Sequence, residues 1–142
     1  MPDAVSEIVI ARPAEAVFAY LADAENDVHW RPGVLEIERV SGAGAGARYR
    51  QVVSGPGGRR IDADIEISEH QPATRLAFRT VAGPVRPDGA YDLASVEGGT
   101  RVRFSLHAEL PGLKKAMAPM VRKTMAGEVA NLANLKRVLE SA

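Results

Sequence analysis

Glu128 and Thr124 interrupt an otherwise apolar stripe, and they are the first candidates for chemistry in this chain. In the segment LKKAMAPMVRKTMAGEVANLANLKRVL (113–139), helical spacing gathers Leu113, Met117, Met120, Val121, Leu132, Leu135, Val138 and Leu139 on one side. Glu128 falls at nearly the same angle as Met117 and Leu135. A carboxylate facing apolar surroundings is pushed toward its neutral form unless a cation or hydrogen-bond donors answer it. Such a group can anchor a ligand hydroxyl or act as a general acid or base, which makes Glu128 the catalytic candidate. The structural alternatives are an ion pair with a strand arginine such as Arg50 or Arg79, or a rotated helix that exposes the carboxylate. Thr124, one turn earlier, is placed to hydrogen-bond Glu128, or is satisfied by a carbonyl of its own helix.

The remaining candidates are apolar. Trp30 is the one tryptophan and stands just before a helix-stopping Pro32-Gly33 pair. Phe78, Tyr91 and Phe104 lie in strand-like stretches, and Met117 and Met120 add flexible thioethers from the helix. With Thr124 and Glu128 these six make the candidate ligand-binding set, although core packing alone would also account for each. His29, His70 and His107 have no metal-ligand spacing and no cysteine beside them, so no metal site is expected. The glycine runs SGAGAG (41–46) and SGPGG (54–58) join strands rather than opening a helix, which excludes a nucleotide fingerprint. No serine sits in a nucleophile elbow, and no cofactor is expected.

The elements that must position these residues follow from the change of period along the chain. AVSEIVIA (4–11) reads as a strand, and Ala14, Val17, Phe18 and Leu21 give a helix near 13–22 with Pro13 in its first turn. Asp23 caps a second short helix through about Trp30. From residue 34 the period is two, giving strands at 34–41, 47–54, 59–70, 74–82, 88–96 and 100–110. Turn signals between them favour an antiparallel meander with one wet face. The C-terminal helix, about 40 Å long if continuous, buries its stripe against that sheet. Pro119 predicts a kink that sets 112–118 apart, either as a gate over one end of a cavity or as a static bend.

Composition bounds the function. The 142 residues fit one domain spanning 1–142, with a balance of 18 basic and 18 acidic residues that gives no general attraction to nucleic acid. Zero cysteines fit a reducing cytoplasm. The sequence lacks a signal-peptide pattern and any apolar run long enough to span a membrane. Lys114, Lys115, Arg122 and Lys123 form either a solvated face or a transient contact with an anionic membrane surface.

The order strand, two short helices, six strands, long helix resembles the START-like superfamily (SRPBCC), which includes the birch-pollen-allergen-like proteins. The local motifs are most similar to its polyketide cyclase/dehydrase branch: SEIVIARPAEAVFAYLADAENDVHWRPGV (6–34), GAGARYR (44–50), GGTRVRF (98–104) and NLANLKRVLE (131–140). The resemblance implies an α+β helix-grip fold, with a curved sheet of about seven antiparallel strands around the C-terminal helix and a cavity between them. It also implies that the Trp30 region lies close to the cavity. The expected partner is a small hydrophobic molecule such as a lipid, polyketide or quinone, bound by a monomer or homodimer. The alternatives are a cofactor-free cyclase, aromatase or dehydratase using the same cavity, and a protein-interaction module.

Overall fold

The computed structural model describes residues 3–141, the side chain of Leu113 excepted. Period-two alternation carries the chain through eight strands: β1 (Asp3–Ile10), β2 (Val34–Ser41), β3 (Arg48–Ser54), β4 (Arg60–Asp62), β5 (Ile65–Gln71), β6 (Arg75–Thr80), β7 (Asp88–Val96) and β8 (Gly99–His107). β8 shows how the pattern chooses a face. Val102, Phe104 and Leu106 are buried, whereas Arg101 and Arg103 are exposed. Among the described residues there are three α-helices: α1 (Ala14–Ala22), α2 (Ala118–Ala130) and α3 (Leu132–Glu140). Two 3-10 segments, Ala24–His29 and Gly112–Met117, precede β2 and α2. Asp23 caps the first of these by accepting from the Glu25 backbone N–H.

All strand pairings are antiparallel, in the order β1-β8-β7-β6-β5-β3-β2, with β4 also on β3. α2 and α3 pack against β1, and Lys136 and Arg12 tie α3 to that edge through the carbonyls of Val9 and Leu139. The core lies between this curved sheet and the helices, with Leu132 and Leu135 almost wholly buried. The architecture is the expected α+β helix grip.

Three expectations need correction. The stretch 59–70 is two strands, because the ladder breaks at Ala63 and Asp64. There the Asp64 carboxylate accepts the Gln51 backbone N–H, and the Gln51 side chain donates to the Ala63 carbonyl. The C-terminal helix is interrupted at Asn131, whose N–H turns to the i−3 carbonyl of Glu128 at 3.0 Å. The buried residues of the two halves still fall on one stripe, but it is rotated from the expected one. α2 buries Val121, Met125 and Val129, leaving Met120 and Thr124 exposed, whereas α3 buries Leu132, Leu135 and Leu139. Leu113, the first stripe residue, has a side chain outside the described residues. Pro119 occupies the first turn of α2, where its missing N–H costs nothing, and the 3-10 segment before it accounts for the expected break.

Candidate ligand-binding site

The site begins with register. Tyr91 of β7 and Phe104 of β8 are direct cross-strand partners, and their ring centroids lie 4.5 Å apart. Phe78 of β6 joins them at 6.1 and 6.5 Å. It sits opposite Gly89, where any Cβ would run into the Phe78 ring and Leu106. Trp30 closes the group edge-on, 6.1 Å from Tyr91 and 6.2 Å from Phe104. Four side chains that sequence placed in separate elements thus form one buried aromatic wall on the helix side of the sheet. Met117 is half-buried against the same core.

One end of the wall meets a cluster of buried charges. Trp30 and Arg31 end the first 3-10 segment, where both backbone N–H groups return to the Asp27 carbonyl and Asn134 of α3 donates to the Trp30 carbonyl at 3.1 Å. This pins Arg31 beneath α2. Its Nε donates to Glu128 at 3.0 Å, and its Nη1 donates to Asp27 at 2.8 Å and to Gln51 at 3.3 Å. Gln51 is oriented for this by its own bond to Ala63 at 2.8 Å. The strand break and the cluster therefore have one cause. Gly33 brings its backbone close to Glu128, with room for a Cβ only 3.4 Å from the carboxylate.

Burial and charge compete inside the cluster. Desolvation pushes the Asp27 carboxyl up to about 6, and Glu128 adds to the rise, outweighing the attraction of Arg31. Burial disfavours the Arg31 cation, yet Glu128 and Asp27 together hold its pKa above the ordinary value. Burial, reinforced by the negative charge of Asp27, also holds the Tyr91 phenol well above its usual range. The Trp30 indole N–H is buried and has no acceptor at hydrogen-bond geometry, although it lies near enough to Asp27 to favour its charge. Unsatisfied buried donors are uncommon, each costing about 1–3 kcal/mol.

The structure thus brings together Trp30, Phe78, Tyr91, Phe104 and Glu128, and leaves Met120 and Thr124 on the solvent side of α2. The cation that answers Glu128 is Arg31. Arg50 pairs with Glu36 and Glu38, and Arg79 with Glu66. Sequence reading missed Asp27, Arg31 and Gln51. Only the four-residue spacing of Asp27 and Arg31 on either side of Trp30 could have flagged the first two. A separate groove of about 740 Å³ crosses the opposite, helix-free face, along Val5, Ser105, Ala90 and Ala77 between rows of charged side chains. It is open to solvent and is lined in part by Phe78, but by none of Trp30, Asp27, Arg31 or Glu128. Among the described residues no group of three or more His, Asp or Glu is placed to hold a metal ion, and no helix is long and apolar enough to cross a membrane.

A curved antiparallel sheet gripping a C-terminal helix is the fold of the START-like, birch-pollen-allergen-like class. Within it the chain belongs to the family described as "Polyketide cyclase / dehydrase and lipid transport", which matches residues 1–140. Among solved structures it is similar to TTHA0849 from Thermus thermophilus, at 26% identity and a TM-score of 0.83 over 99% of each chain. Ara h 8.0201 shares 16% identity with a TM-score of 0.71, over 99% of this chain and 98% of that one. The di-domain ARO/CYC BexL from the BE-7585A biosynthetic pathway shares 22% identity with a TM-score of 0.78, and here 99% of the chain covers 47% of the larger protein. No curated protein matches the sequence.

Proposed function

We propose that this protein binds a small hydrophobic molecule between the sheet and α2–α3, with its apolar body on the aromatic wall and an oxygen atom at the Trp30–Arg31 end. The observation that carries this reading is Trp30 itself. Its ring belongs to the wall, while its buried N–H lies beside the ion cluster, near Asp27 but with no acceptor at hydrogen-bond geometry. A ligand oxygen would relieve that cost, and splaying the rings would admit the rest of the molecule. Family membership supports a hydrophobic cargo or substrate. The test is titration with the neutral probe N-phenyl-1-naphthylamine, read by energy transfer from Trp30, together with native mass spectrometry of freshly purified protein. Saturable one-to-one uptake that quenches Trp30 supports the reading. Absence of both uptake and any co-purifying small molecule refutes it.

A second reading, a cyclase- or dehydratase-type enzyme, gains from one observation. Two carboxylates and a phenol, Asp27, Glu128 and Tyr91, converge on Arg31, and Asp27 changes protonation near pH 6. Glu128→Gln separates the readings. Turnover lost with binding retained assigns proton transfer to Glu128, and unchanged turnover removes it from that role.

A further inference from the structure

The geometry points to Asp27 as a specificity determinant that makes the polar end of this site select uncharged oxygen-bearing molecules over anionic ones. The inference rests on the binding site proposed above and concerns which ligand head group it takes. An arginine at the end of an apolar cleft would ordinarily be read as a carboxylate anchor. Here two of its three nitrogens are already committed. Nε is bound to Glu128 at 3.0 Å and Nη1 to Asp27 at 2.8 Å, so one guanidinium faces two carboxyl groups. With both ionised the cluster carries a net charge of −1, and a second anion brought to it meets repulsion in a poorly solvated place. Beside it the neutral indole N–H of Trp30, with no acceptor at hydrogen-bond geometry, suits a carbonyl or hydroxyl oxygen.

The same arrangement makes the selectivity depend on pH. Asp27 is faced by Arg31 and Trp30 from its own segment, Tyr20 from α1, Tyr91 from β7 and Glu128 from α2. Desolvation raises the Asp27 carboxyl to about 6 while both phenols stay neutral. Below that pH the cluster loses one negative charge and becomes neutral, with Arg31 balanced by Glu128 alone. Anionic head groups are then admitted more readily, and neutral ones are little affected.

The experiment displaces bound N-phenyl-1-naphthylamine with a matched pair of non-fluorescent competitors, 1-decanol and decane-1-sulfonate, whose charges are fixed between pH 5 and 8. The readout is the ratio of their inhibition constants, in the wild type and in Asp27→Asn. In the wild type decanol is favoured at pH 8, and the ratio shifts about tenfold toward the sulfonate at pH 5. In Asp27→Asn the ratio at pH 8 already resembles the wild-type value at pH 5 and changes much less with pH. Comparing the two proteins removes the general gain of positive charge on acidification. If the substituted protein fails to fold, the wild-type pH series alone decides, since a ratio constant from pH 5 to 8 overturns the inference. Probe binding with a ratio that ignores both pH and Asp27 refutes the selectivity and leaves the binding site standing. Failure of the probe to bind at any pH refutes both.

Discussion

Replacing Asp27 with asparagine tests the balance of forces in the buried cluster without any ligand. In the folded protein the Asp27 carboxyl titrates at about 6, against an ordinary value of 3.8. A group whose folded pKa is raised holds its proton more tightly in the native state. Its stabilising contribution is complete below 3.8 and is lost as pH rises through about 6. At 1.36 kcal/mol per pH unit the full loss is on the order of 3 kcal/mol, of which about 2 kcal/mol falls between pH 4.5 and 7.5. Asparagine keeps the shape and an acceptor for Arg31 but does not titrate, so it supplies a flat reference. Urea unfolding followed by Trp30 fluorescence at half-unit pH steps should show Asp27→Asn gaining on the wild type by about 2 kcal/mol over that range. In thermal unfolding the gain is roughly 6–8 °C for a chain of this size. A constant difference would mean that Asp27 does not titrate there. A difference of opposite sign would mean that attraction to Arg31 outweighs desolvation, and the reasoning about the cluster would fail.

Arg31→Met leaves the buried Asp27 and the half-buried Glu128 without their cation, and should cost about 3–5 kcal/mol at pH 8 but less at pH 5, where Asp27 escapes by protonation. Adding Asp27→Asn to it should recover part of the loss, measured as a double-mutant cycle in denaturant. Gly99→Ala should destabilise by roughly 3 kcal/mol, because the backbone at φ 143 excludes side chains and the new Cβ would collide with the Ile10 carbonyl. Calorimetry that finds it neutral would disprove the strain argument. Gly127→Ala should stabilise by about 0.5–1 kcal/mol, since the position is exposed, lies inside α2 and has nothing within 4 Å of a new Cβ. A fall in the unfolding midpoint would contradict this.

The fold was legible because its signals are local. Pro13, Asp23 and the period-two strands each declare their structure within a few residues, and 34–41 and 88–96 match β2 and β7 at both ends. One of the two failures in the elements is a place where side chains override the backbone pattern. The run 59–70 alternates without interruption, yet the Asp64 carboxylate and the Gln51 amide take over ladder positions across the pair. Nothing within the run reveals that, since the competing donor lies 12 residues away from Ala63. The second failure is one of rotation: the buried positions of α2 and α3 fit a single helical wheel, but the sequence reading centred its stripe too far toward Thr124. The wheel put Thr124 inside and left Met125 out, and the structure reverses both.

The site was legible in its apolar half and hidden in its polar half for one reason. Aromatic residues on inward strand positions can be told from outward ones by alternation alone, so Tyr91 and Phe104 were within reach of sequence reading. The partner of a buried carboxylate is a matter of three-dimensional closure. Arg31 and Glu128 are separated by 97 positions in sequence, and nothing in the spacing of either favours this arginine over Arg50 or Arg79. Those two strand arginines sit in open rows of alternating charge where exposed pairing is worth little. Arg31 alone is carried inward, because Trp30 beside it must be buried and the Asp27 carbonyl turns the chain back there. Burying the tryptophan thus commits its neighbour to the interior, and the interior arginine in turn requires Asp27, Glu128 and Gln51. The polar end of the site follows from the aromatic wall through this single peptide linkage.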